Sequence, residues 1–141
     1  MGGEVYKWKQ NGHIFLWSFL SNTKNFPGYH LACDSAGRDS LLSLIRILKV
    51  SPVGTYRTIK LSEPTKDVLA VPNNGWDIST RQSIKIFYDE HSSLNIKECF
   101  DYFELRANCT VLDAIEKNLM SIESGSELKL AVGDKCLNFW W

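Results

Sequence analysis

No hydrophobic run in this chain reaches membrane length. The most apolar stretch, Ile14-Phe-Leu-Trp-Ser-Phe-Leu20, falls well short of the roughly 20 residues a helical span needs. No small-residue cleavage site follows it, as a secretory signal would require. Net charge is absent too: sixteen basic and sixteen acidic residues cancel. That argues against a dedicated nucleic-acid binder, whose affinity comes mostly from neutralising phosphates. Metal-ligand spacing is missing. Cys33, Cys99, Cys109 and Cys136 form no Cys-x-x-Cys pair, and His13, His30 and His91 show no helical spacing. There is no glycine-rich strand–loop–helix unit for phosphate; Gly2-Gly3 and Gly125 stand isolated.

Catalytic motifs fare no better. Ser35 lacks the nucleophile elbow because Cys33 stands where its first glycine belongs. Ser21-Asn-Thr-Lys24 has Ser–Lys spacing but sits in a polar loop. Tyr6 replaces the Ser or Thr that N-myristoylation needs. The Asn108-Cys-Thr110 sequon matters only in a secretory compartment. Together these absences predict a cytoplasmic protein with four reduced thiols, no cofactor, no metal and no membrane contact.

What is present is a core. The chain has 141 residues, 44% of them hydrophobic, enough for one domain spanning 1–141 without disulfides. The clearest element is a helix over about 39–50. Leu41, Leu44, Ile45 and Leu48 repeat at three- and four-residue spacing, and Leu42 and Ile47 widen the stripe. So wide a stripe predicts burial on more than one side. Asp39 or Ser40 suits its N-cap, and Pro52 and Gly54 stop it.

A second helix is predicted over about 110–122, with Val111, Ala114, Ile115, Leu119 and Ile122 as its stripe and Asn108 or Thr110 as cap. Asp113, Glu116 and Lys117 are expected to face away from the core. Strands are predicted at 4–10, 13–20, 29–33, 56–61, 83–89, 99–106, 127–132 and 135–141, with Asn11-Gly12 as a hairpin turn after the first. Residues 62–82 read as a long, proline-broken loop that has room for a helical turn at 66–70. The order implies an α+β fold: a mostly antiparallel sheet of about six to eight strands with two main helices.

Two stretches bear on partners. Tyr6-Lys-Trp-Lys9 interleaves aromatic and basic residues as single-strand binders do; the reading preferred here is a half-buried strand with Tyr6 and Trp8 inward. Tyr88-Asp-Glu-His91, with Glu98, Asp101 and Glu104, would suit a basic partner if they formed an acidic patch; the reading preferred here is a solvated strand end and loop.

The short antiparallel strands, the leucine-rich helix Leu41–Leu48, the loop Val71-Pro-Asn-Asn74 and the terminal Leu137-Asn-Phe-Trp-Trp141 resemble small bacterial immunity-type proteins of polymorphic and contact-dependent toxin systems. That resemblance implies a cytoplasmic, non-catalytic binder that occludes a toxin partner. The expected contact residues are Trp76, Asp89, Glu90, Trp140 and Trp141, since tryptophan is a favoured interface anchor. Two alternatives stay open: a small enzyme with a spatially assembled Cys/His site, and a structural homodimer subunit.

Overall fold

A computed structural model describes residues 3–19, 28–63, 78–90, 94–121, 127–132 and 135–140. In chain order the elements are α1 (Gly3–Lys7), β1 (Ile14–Phe19), β2 (Tyr29–Cys33), α2 (Ser35–Lys49), β3 (Tyr56–Lys60), β4 (Ile78–Ser79) and β5 (Ser83–Tyr88). There follow β6 (Leu94–Glu98), β7 (Tyr102–Ala107), α3 (Cys109–Ser121), β8 (Glu127–Val132) and β9 (Lys135–Trp140). The fold is α+β, but the described strands form two sheets instead of one. A five-stranded sheet runs β4-β1-β2-β9-β8 and a four-stranded sheet runs β3-β5-β7-β6. Both are mixed: β2 pairs β9 in parallel and β5 pairs β7 in parallel, the other pairings being antiparallel. Sequence order alone does not reveal these two pairings, because each joins strands separated by other elements.

One core serves both sheets. Alternation sends Ile14, Leu16, Leu31 and Leu137 inward from the first sheet and Ile59, Ile84, Ile86 and Leu105 from the second. There they meet Leu41, Leu44, Ile45 and Leu48 of α2 and Leu112, Ile115 and Leu119 of α3. Tyr29 of β2 and Phe103 of β7 cross edge to face, with centroids 5.8 Å apart, and so join the two sheets. The cavity left between them, about 30 Å³, has a wholly apolar lining. It is about the size of one water but offers that water no partner.

The opening segment is a helix, not the strand expected at 4–10. Val5 and Trp8 lie three residues apart, so one helical turn buries both, at 1% and 6% exposure; a strand would send them to opposite faces. Trp8 Nε1 also donates to Ser40 O at 2.8 Å. Tyr6, expected inward, is 79% exposed. Gly12 does turn the chain, at φ +71°, but into β1 from a helix, not from a hairpin partner.

Helix α2 begins earlier than the pattern suggested. Its N-cap is Asp34, whose Oδ1 accepts from Gly37 N at 2.7 Å and from His13 N at 2.9 Å. The His13 N–H is the chief reason the Asp34 carboxyl lies below its ordinary range. Asn108 caps α3, accepting from Val111 N at 2.9 Å.

The charged residues of α3 do not all face away. Lys49 of α2 reaches both Asp113 (2.8 Å) and Glu116 (2.6 Å), and Arg46 reaches Glu116 at 2.7 Å. α2 is thus clasped between the sheets and α3. Both carboxyls are depressed, Asp113 by the Lys49 hydrogen bond and then Lys117, Glu116 by Lys49 and then Arg46. A carboxyl depressed in the folded state stabilises it above its unfolded value, near 4, and that help is lost as pH falls through the folded value. We therefore expect the melting temperature to drop below about pH 4. In Lys49→Met the same acid limb should be flatter, as thermal melts between neutral and acid pH would show.

Strand β6 was missed within the acidic loop region because only Ile96 of its described side chains is buried, leaving too weak an alternation to read. Most of the long 62–82 segment lies outside the described residues, as does the helical turn expected at 66–70. Of it, Ile78–Ser79 pairs with β1.

Candidate functional site

The four-stranded sheet presents an outer face whose composition follows from strand alternation. With Ile59, Ile84, Ile86, Phe103 and Leu105 turned inward, the intervening residues must point out. Register then sets them in rows. One row runs Tyr56, Phe87, Arg106 and Asn95; the next runs Thr58, Lys85, Glu104 and Lys97. Tyr56 and Phe87 stack at 4.9 Å between centroids, 24° from parallel. Arg106 lies over the Phe87 ring at 4.3 Å. Lys85 sits between two rings, 4.6 Å from Tyr102 and 6.0 Å from Tyr56. Rings and cations therefore stand on edge like books, each fixing its neighbour.

Three of the acidic residues, Asp89, Glu98 and Glu104, lie beside cations in this arrangement. Arg106 pairs with Glu104 at 3.1 Å and with Asp89 at 3.4 Å. Glu98 accepts from Ser79 Oγ at 2.7 Å and lies 3.9 Å from Arg81. Lys60, Lys85 and Lys97 have no carboxylate within ion-pair distance among the described residues, so the face has a basic excess.

Of the expected contact residues, Asp89 lies half-buried at the edge of this face and Glu90 is exposed in the turn after it. Trp140 belongs to β9, where its backbone pairs with Ala32. Trp76 and Trp141 lie outside the described residues. The structure does not bring Trp140 and Asp89 onto one element or one sheet. Comparison with protein families, with curated proteins and with solved structures returned no match.

The residues that make the face, Tyr56, Lys85, Phe87, Tyr102 and Arg106, were visible in the sequence only strand by strand. The alternation of 56–61 and 99–106 already put Tyr56 with Thr58 and Lys60, and Tyr102 with Glu104 and Arg106. What was missing was the knowledge that β5 lies between β3 and β7.

Cys33 is half-buried and its thiol is pushed up to about 12, by desolvation first and then by the Asp34 charge; it is a poor nucleophile near neutrality. The Cys99 thiol is the chief influence that raises the Tyr102 phenol. Cys109 lies against Tyr88, raised mainly by desolvation. Among the described residues no three His, Cys, Asp or Glu side chains gather as metal ligands. His13 Nδ1 contacts Ser62 Oγ at 3.0 Å.

His30 is buried, stacked on Trp17 at 5.6 Å. Trp17, His30 and Asn138 share one row of the five-stranded sheet, on the face opposite the core, and are all at most 2% exposed. Asn138 Nδ2 donates to Tyr29 O at 3.1 Å. No described helix is long and apolar enough to cross a membrane.

Proposed function

We propose that this chain is a non-catalytic protein-binding module, an immunity-type inhibitor that works in the cytoplasm by covering a toxin's active site. The observation that carries the reading is the ordered outer face of the four-stranded sheet, with Tyr56, Phe87, Tyr102, Lys85 and Arg106 held in mutual contact. Tyrosine and arginine are the residue types that dominate interface energetics. Side chains already fixed by stacking lose less freedom on binding, which favours affinity. An open sheet face also suits occlusion better than turnover, since catalysis draws on water-excluded, convergent polar groups.

Co-expression tests it. Toxin-like reading frames beside the gene are expressed with this chain in a growth assay. The wild-type chain is expected to restore growth, and a Phe87→Ala, Tyr102→Ala double variant that keeps its circular dichroism spectrum is expected not to. If no neighbouring frame is neutralised, the reading falls.

A further inference from the structure

Beside the outer face, β3 ends the four-stranded sheet, and among the described residues its outer edge is only partly covered. Ladder parity decides which groups point there. Tyr88 N donates to Thr55 O at 2.9 Å and Leu61 N to Gln82 O at 2.9 Å. Odd-numbered residues of β3 therefore face β5, and the N–H and C=O of Tyr56, Thr58 and Lys60 face outward.

Lys60 is already engaged. The Gln10 side-chain amide donates to Lys60 O at 2.7 Å and accepts from Lys60 N at 2.9 Å, reproducing the two bonds of a neighbouring strand. The groups of Tyr56 and Thr58, on the same edge, have no such cap among the described residues. They open onto a groove of about 610 Å³ between α1 and β3, lined by Val5, Tyr6, Val53, Tyr56, Arg57 and Thr58 among others. Tyr6, Val53 and Tyr56 stand 79%, 51% and 51% exposed. Three large apolar side chains in water beside an unpaired strand edge are what an added strand would cover.

The charge around the groove says which strand. Arg57 lines it, its guanidinium 5.5 Å from the Trp8 ring and donating to Trp8 O at 3.3 Å. Lys60 is exposed two residues after Thr58 on the same strand, and Lys85 approaches Tyr56 from the sheet face. No carboxylate among the described residues pairs with any of these three. We propose that the edge of β3 at Tyr56–Thr58 receives an extended, acidic segment of a partner protein as a fifth strand. The main chain of that segment bonds Tyr56 and Thr58, its apolar side chains cover Tyr6 and Val53, and its carboxylates meet the basic rim. The proposal rests on the protein-binding reading above and names the partner's chemistry.

The probe is a fluorescein-labelled octapeptide of alternating valine and glutamate, followed by anisotropy. In a strand, alternate N–H groups face one edge. The peptide N-methylated on its valines and the one N-methylated on its glutamates should therefore differ: one binds like the parent, the other at least tenfold more weakly. Lys60→Glu should weaken the parent peptide several-fold and reduce its salt sensitivity. Equal binding of the two methylated peptides overturns the strand addition. So does equal binding of a valine–lysine octapeptide, or tighter binding of a labelled oligothymidine, which would make the basic rim a nucleic-acid surface. A concentration-dependent dimer in sedimentation that Tyr56→Glu dissolves would give the edge to a second copy and also overturn it. If the peptide fails while growth rescue persists, the edge site alone is lost. If the peptide binds and no neighbouring toxin is neutralised, the inhibitor reading alone is lost.

Discussion

Phe103→Ala is expected to destabilise the protein by about 3–5 kcal/mol, the range for truncating a buried aromatic ring. For a domain of this size that lowers the melting temperature by on the order of 10 °C or more. Three observations place it at the high end. Phe103 is 0% exposed. It sits on β7, a central strand of the four-stranded sheet. Its ring meets Tyr29 of the other sheet edge to face, and Arg81 lies over it at 5.5 Å. Truncation therefore empties the junction between the two sheets, where neither can move in to fill the space without leaving its own helix contacts. Phe103→Leu keeps most of the volume and should lose clearly less. Urea titrations of the two variants beside wild type give the comparison. A loss under about 1 kcal/mol for the alanine variant would mean that the sheets do not meet at this ring.

Gly37→Ala is expected to destabilise by about 1–3 kcal/mol or more, against what its place in the chain suggests. Gly37 lies in the first turn of α2, and replacing a helical glycine with alanine ordinarily stabilises by up to about 1 kcal/mol. Here a Cβ would run into the His13 carbonyl oxygen and stand 2.9 Å from His13 C and 3.0 Å from Asp34 Oδ1. The same Asp34 oxygen receives the His13 and Gly37 N–H groups. Added volume therefore pries apart the cap and the turn that leads into β1. Asp34→Asn keeps an acceptor at the cap and should be milder, about 1 kcal/mol or less. A gain in denaturation midpoint for Gly37→Ala would contradict the close approach of helix and turn.

The residues differ in how far they could be read in advance. Leu41, Leu44, Ile45 and Leu48 announced α2 because a 3.6-residue period needs only local spacing, and their burial follows from the same spacing. Strand alternation likewise announced β2, β3, β5, β8 and β9 nearly to the residue. Ile84, Ile86, Phe103 and Leu105 face inward for that reason alone. The N-terminal helix was misread because Lys7 and Lys9 alternate with Tyr6 and Trp8, a local pattern that the Trp8–Ser40 contact, 32 residues apart, overrode. The pairing of the acidic residues was hidden for a similar reason. Asp89, Glu98 and Glu104 are visible as charges, but Arg81 and Arg106 neutralise them only once β7 lies between β5 and β6.

The sequence by itself determined the secondary elements with strong periodicity, the α+β class and the set of residues each strand turns to either side, because those depend on neighbours along the chain. Only the tertiary structure decided that the strands divide into two mixed sheets. It also decided that Tyr56, Phe87 and Arg106 form one row, that Gly37 has no room for a methyl group, and that among the described residues the edge of β3 is only partly covered. Each of these depends on which strand lies beside which, and on backbone groups brought together from distant parts of the chain.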